Sequence, residues 1–227
     1  MFYMYYWWLM IPVMIVTMYA QSKVKGNYNK YAKVKSVRGF TGAQVADQIL
    51  RSNGLYHVKV ERGQGVMTDH YDPRTETIRL SPHVYDQASI SAVSIAAHEC
   101  GHAVQHATAY APLAVRSSIA PATQFVSKAA VGLVFAGVLL ARSGMIWLLD
   151  LGIIAYILIA LFHLVTLPVE FNASKRAIAM LDEYQLIYEE DLEGTKKVLN
   201  AAALTYVAAM LAVVMTVVRL VLIRNRR

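Results

Sequence analysis

A mainly α-helical membrane protein, with four transmembrane helices and one small α+β insertion, is what this sequence predicts. Composition is the first reason. Hydrophobic residues make up 56% of the 227, charged residues only 16%, and mean hydropathy is +0.38, which is too apolar for an ordinary soluble domain. The second is distribution: the apolar residues collect in four runs near the length that crosses a bilayer. The third is the polar stretch between the first two runs, which alternates strand and helix patterns and contains His98-Glu99-Cys100-Gly101-His102.

Residues 1–20 form the first expected span. They carry no charge, and Tyr3, Tyr5, Tyr6, Trp7 and Trp8 make an aromatic cluster suited to a membrane interface. With neither a basic start nor a small-residue cleavage site, the segment reads as a retained anchor rather than a signal peptide.

Residues 21–124 read as the insertion. Val45, Ala46, Ile49 and Leu50 give one helical face over Thr41 to Asn53, stopped at Asn53-Gly54. Tyr56 to Val60 alternates as a strand, and two further short strands around Gly65 to Tyr71 and Thr77 to Leu80 flank the turn-forming Asp72-Pro73-Arg74, so a small β-meander is expected. Ser81-Pro82 then opens a helical region expected to run unbroken through Ile90, Val93, Ile95 and Ala96 to about Thr108, with Pro112 marking its end.

Residues 125–169 hold the second and third spans, joined by the polar turn Arg142-Ser143-Gly144; the third carries Asp150 and His163. A polar connection follows over 170–199. Residues 200–227 supply the last helix, with its apolar run from Ala201 to Ile223, and the basic tail Arg224-Asn225-Arg226-Arg227.

The chemistry centres on His98 and His102. Four residues apart on a helix, two imidazoles stand on one face about 6 Å apart in rise and reach a single metal ion. Glu99 between them is placed to take a proton from the attacking water. A catalytic zinc needs a third protein ligand. His106 is one turn beyond His102 and about 12 Å in rise from His98, too far for one ion on a straight helix, and reads as a side chain lining the groove beside the site. Glu170 is the better choice, because an acidic residue where the third span leaves the membrane requires a partner and a metal is one. Cys100 is the sole cysteine, so no intramolecular disulfide forms, and it reads as a small buried packing residue.

The segment His98 to His106, together with Pro168-Val169-Glu170-Phe171-Asn172-Ala173-Ser174, Leu199 to Ala209 and Asp69-His70-Tyr71-Asp72-Pro73-Arg74-Thr75, resembles the YugP-type neutral zinc metallopeptidases of bacterial membranes. The layout is also similar to that of the larger HtpX and CAAX-processing group. The resemblance implies a multi-pass zinc endopeptidase of the gluzincin type, with one catalytic Zn2+ held by His98, His102 and Glu170 and with Glu99 as the general base. Those relatives often have an aspartate four residues after the glutamate. Here that position is Ser174, so support for a histidine ligand is expected from Ser174 or Asn172. Candidates for the donor that stabilises the oxyanion are His70, Tyr71, Arg176 and Tyr206, and sequence does not rank them.

Charge bears on orientation and partners. Lys23, Lys25, Lys30, Lys33, Lys35, Lys128, Lys175, Arg176, Lys196 and Lys197 flank the spans on the catalytic side, against Arg142, Arg224, Arg226 and Arg227 on the other, which puts the catalytic side in the cytoplasm of a cell-membrane protein. The net charge of +7 suits anionic lipid headgroups rather than nucleic acid, because the basic residues gather beside spans and not along one helix face. Two functions remain in view: an endopeptidase acting on membrane-associated or unfolded proteins, and a catalytically silent scaffold whose metal only ties the insertion to the third span. Glu99 separates them, since a scaffold needs ligands but no base.

Overall fold

The computed structural model describes residues 6–226, so the expectations resting on Tyr3, Tyr5, the first residues of the first span and Arg227 lie outside the described residues. The helices are α1 (Met10–Tyr31), α2 (Gly42–Ser52), α3 (Pro82–Tyr85), α4 (Ile90–Ala107), α5 (Ala111–Leu139), α6 (Trp147–Glu183) and α7 (Glu189–Asn225), and the strands are β1 (Lys59–Arg62), β2 (His70–Asp72) and β3 (Thr77–Leu80).

Among the described residues three helices, α5, α6 and α7, are long and apolar enough to cross a membrane. The first expected span is not one of them. Of residues 1–20 the helix holds only Met10 to Ala20, about 16 Å at 1.5 Å per residue, and its remaining turns carry Lys23, Lys25 and Lys30.

The chain divides into two compact units. The first combines the residues up to Gln21 with Val115–Leu167 and Thr205–Arg227. Here Val134, Leu149 and Ile153 bury themselves with Leu220 and Ile223. Gly137 permits the closest approach, because a Cβ there would stand 2.3 Å from the backbone nitrogen of Leu149. Arg224 donates from Nε to Asp150 at 2.9 Å, so the acidic residue in the third apolar run has a partner on α7.

The second unit, Ser22–Ala114 with Pro168–Leu204, contains the sheet and α4. Its core gathers Val45, Ile49 and Leu50 of α2, Ile78 and Leu80 of β3, Val93, Ala96, Ala97 and Cys100 of α4, and Ala177 and Leu181 of α6. Helix α2 starts as its sequence indicates: Thr41 Oγ1 accepts from the Gln44 amide at 3.2 Å while the Thr41 amide donates to Gln44 Oε1 at 2.9 Å, a reciprocal cap.

Two expectations need correction. The sheet is not a meander: its order is β1-β3-β2, with β1 parallel and β2 antiparallel to β3. The cause is burial. Thr77, Ile78 and Leu80 are buried while β1 is mostly exposed and β2 only half-buried, so the apolar strand takes the centre and the polar ones become edges. Asp69 holds the long β1–β2 connection in place by accepting from the Ser81 amide at 2.7 Å and from its hydroxyl. Nor is the helix from Ser81 unbroken. After α3 the chain runs extended against the segment following α1, with the Ser36 amide donating to Ala88 O and the Ile90 amide to Val34 O, and Ser89 then caps α4 through the Ala92 amide. Helix α4 stops at Thr108, and Pro112 sits in the first turn of α5, where a proline is tolerated, so α5 begins well before the span expected from about Phe125.

Candidate metal centre

The second unit brings α4 and the part of α6 from Pro168 onward almost into backbone contact. A Cβ on Gly101 would lie 2.6 Å from the carbonyl oxygen of Ala173. Val169, Ala173 and Ala177, spaced four apart on α6, are all fully buried. Small side chains at this crossing let histidines on one helix meet a carboxylate on the other. In an open helix, Gly101→Ala would stabilise by up to about 1 kcal/mol through propensity. Here the added methyl meets backbone that cannot swing aside, and a loss of roughly 1–3 kcal/mol with reduced metal uptake is expected instead. The thermal midpoint of the zinc-loaded protein gives the sign; a rise would mean that the helices are further apart.

His98 and His102 stack edge to face, ring centroids 4.8 Å apart. Glu170 Oε2 lies 3.3 Å from His98 Nε2 and 3.6 Å from His102 Nε2, and one ligand atom from each of the three residues lies within 4.8 Å of the others. Two donors each about 2.0–2.1 Å from one tetrahedral zinc are separated by roughly 3.4 Å, so the spacing fits such an ion. The far sides of the rings agree with this. His98 Nδ1 is 3.2 Å from Ser174 Oγ, and His102 Nδ1 is 3.0 Å from Gln105 Oε1. Gln105 in turn donates from Nε2 to Val169 O at 2.8 Å and to Asn172 Oδ1 at 2.9 Å, which leaves its oxygen as the acceptor facing His102. With Nδ1 donating to Gln105, the His102 ring presents its Nε2 lone pair towards the carboxylate, and the Ser174 hydroxyl is able to accept from His98 Nδ1 in the same way. Lone pairs and an anion converge only around a cation, either protons on the rings or a metal.

Electrostatics supports the same reading. Glu170 is 2% exposed, and burial alone would raise its carboxyl pKa, but the His102 and His98 rings beside it hold it well below the usual range. His102 shows the complementary balance: burial lowers its pKa, and the Glu170 and Glu99 carboxylates together with Gln105 outweigh burial and raise it. Such a carboxylate stays ionised at neutral pH, as a metal ligand must.

Glu99 is 8% exposed, and its carboxylate accepts no hydrogen bond among the described residues. Cys100 is fully buried against α2, its Sγ 3.7 Å from Ala46 O, and burial pushes its thiol pKa well up, so it stays protonated and packs.

The remaining sequence candidates distribute as follows. Ser174 touches His98 directly, whereas Asn172 reaches His102 only through Gln105 and also accepts from Arg176 Nε at 2.8 Å. His106 is exposed and outside the cluster, its Nδ1 2.9 Å from the Tyr71 hydroxyl. His70 is exposed, with Nδ1 2.8 Å from Thr68 O. Tyr206 belongs to the first unit. Gln105 is the residue that sequence reasoning missed. Its signal was available: a glutamine three residues after His102 faces the same side of the helix, and a buried amide there must find partners.

Comparison with known proteins points the same way. A family model described as "Putative neutral zinc metallopeptidase" matches residues 6–225. The chain is also similar to "Putative membrane protease YugP" of Bacillus subtilis (strain 168), 46% identical over 215 residues that cover 95% of this chain and 94% of that protein. No solved structure matches the chain.

Proposed function

The chain belongs to this neutral zinc metallopeptidase family, and from that premise we propose that it is a membrane-embedded zinc-dependent endopeptidase which cleaves membrane-associated or unfolded proteins. The observation that carries the reading is the convergence of His98, His102 and Glu170 with both distal ring nitrogens already engaged by Ser174 and Gln105. Zinc bound there supplies Lewis acidity, acidifying a water and polarising the scissile carbonyl.

The chain's own residues do the rest. Ser174 and Gln105 fix the ring orientations and keep Nε2 of each histidine turned towards Glu170. Gln105 also links α4 to the backbone of α6, so that the ligands stay in register during turnover. Glu99 takes the proton of the attacking water and delivers it to the leaving amine. Its freedom from hydrogen bonds among the described residues leaves both oxygens ready for that exchange. The oxyanion donor is drawn from His70 and Arg176, since the Tyr71 hydroxyl is engaged by His106.

Helices α5, α6 and α7 and the aromatic segment at residues 1–20 hold the protein in the cell membrane as a multi-pass enzyme. Lysines beside the spans set the catalytic side in the cytoplasm, and the lipid bilayer and protein or peptide substrates are its partners.

The test is cleavage of an unfolded protein by detergent-purified enzyme before and after chelation, with zinc returned. Activity is expected to vanish on chelation and to recover with zinc; full activity in the zinc-free protein would refute the proposal. A pH dependence accompanies it. Zinc must displace the proton that the Glu170 and Glu99 carboxylates hold on His102 more firmly than usual, so apparent zinc affinity should rise with pH by up to about tenfold per unit for each proton displaced, and weaken in acid. Competition with a chelator of known affinity between pH 6 and pH 8 measures the slope.

A further inference from the structure

The pair formed by His106 and Tyr71 plays no part in holding the metal. His106 lies one turn beyond His102 on the same stripe of α4, yet it is exposed where His102 is buried. Tyr71 comes from the edge strand β2, and its hydroxyl stands 2.9 Å from His106 Nδ1 with ring centroids 6.0 Å apart. Among the described residues, His106 Nε2 has no hydrogen-bond partner. A histidine whose inner nitrogen is held and whose outer one is left open at the rim of a site is arranged to meet something that arrives.

Burial pushes the Tyr71 hydroxyl up to about 12, with the carboxylates of Glu76 and Asp72 adding to it. A neutral phenol is a better donor than acceptor, so Tyr71 donates to Nδ1 and the ring proton resides on Nε2. That tautomer offers an N–H to a carbonyl while remaining uncharged.

Geometry says which carbonyl. His106 is about 6 Å along the helix from His102, and an extended peptide advances about 3.3 Å per residue, so a substrate lying along α4 meets a donor there about two residues from the bond being cleaved. Resting on the peptidase reading above, we propose that His106 Nε2–H grips a backbone carbonyl of an extended substrate about two residues from the scissile bond, with Tyr71 as the positioning residue that sets the tautomer. Such a grip selects extended or unfolded segments, because a carbonyl inside a helix is already bonded.

The experiment compares two blocked peptides, one reaching a single residue and the other three residues on either side of the scissile bond. In His106→Ala the ratio of kcat/KM for the long peptide over the short one is expected to fall about fivefold to tenfold, the worth of one backbone hydrogen bond, with KM carrying the change. His106→Gln, which retains an N–H, should recover part of it. Binding of the long peptide to zinc-loaded Glu99→Gln protein should weaken by the same factor when His106→Ala is added, independently of turnover. In Tyr71→Phe the side-chain 15N shifts of His106 should lose the single Nε2–H tautomer, and the long-peptide preference should fall partway. Equal losses for both peptides, no loss for either, or reduced zinc content in His106→Ala would overturn the inference while leaving the peptidase reading intact. A parent protein that cleaves neither peptide and binds neither would overturn both.

Discussion

Glu99→Gln is expected to lower peptide cleavage by roughly 10²–10⁴-fold while zinc content stays at the parent level. Glutamine preserves the volume of a side chain that is 8% exposed, so the packing of α4 is undisturbed. Glu99 is not among the three ligands, and no hydrogen bond among the described residues is lost with its charge. What disappears is a group able to take a proton from water and return it to an amine. Metal analysis and digestion of an unfolded protein, run on parent and variant in the same detergent, make the comparison. Equal cleavage by both would remove Glu99 as the base. Zinc bound in both with cleavage by neither would favour the silent scaffold.

The second large effect concerns Glu170. Glu170→Ala should weaken zinc binding by more than the roughly 10–100-fold that loss of an outer partner of a ligand costs. Two changes nearby calibrate it. Ser174→Ala and Gln105→Leu each remove one such partner, from His98 and His102 respectively, and should fall within that 10–100-fold range. His106→Ala, outside the cluster, should retain zinc. The resulting order, with Glu170 most severe and His106 mildest, is read by competition against a chelator. A reversal, with His106→Ala releasing zinc and Glu170→Ala retaining it, would mean that a different third residue holds the metal.

Zinc binding in these variants also separates local from distant information in the chain. The spacing of His98 and His102 lies within one helical turn, and Glu170 stands out as an acidic residue at the end of an apolar run. Both features are legible without coordinates because each is a conflict or coincidence visible within a few residues. The same holds for the caps of α2, where Thr41 and Gln44 are three apart. Gln105 is different. It is a polar residue on a helix like many others until α6 arrives to bury it against Val169 and Asn172, sixty-odd positions away. The break between α3 and α4 also depends on distant chain, since the segment around Val34 to Ser36 supplies the bonds that replace the helix there.

By itself the sequence determined that the protein is mainly helical and apolar, that a pair of imidazoles shares one helix face with a glutamate between them, and that a carboxylate waits where an apolar run ends. Periodicity and composition carry such facts because they depend on neighbours along the chain. Tertiary structure alone decided the strand order, the near-contact of Gly101 with Ala173, the hydrogen bonds that orient the two rings, and the pairing of His106 with Tyr71. Those depend on which surfaces can be buried together, a competition among segments far apart in sequence that only the packed chain resolves.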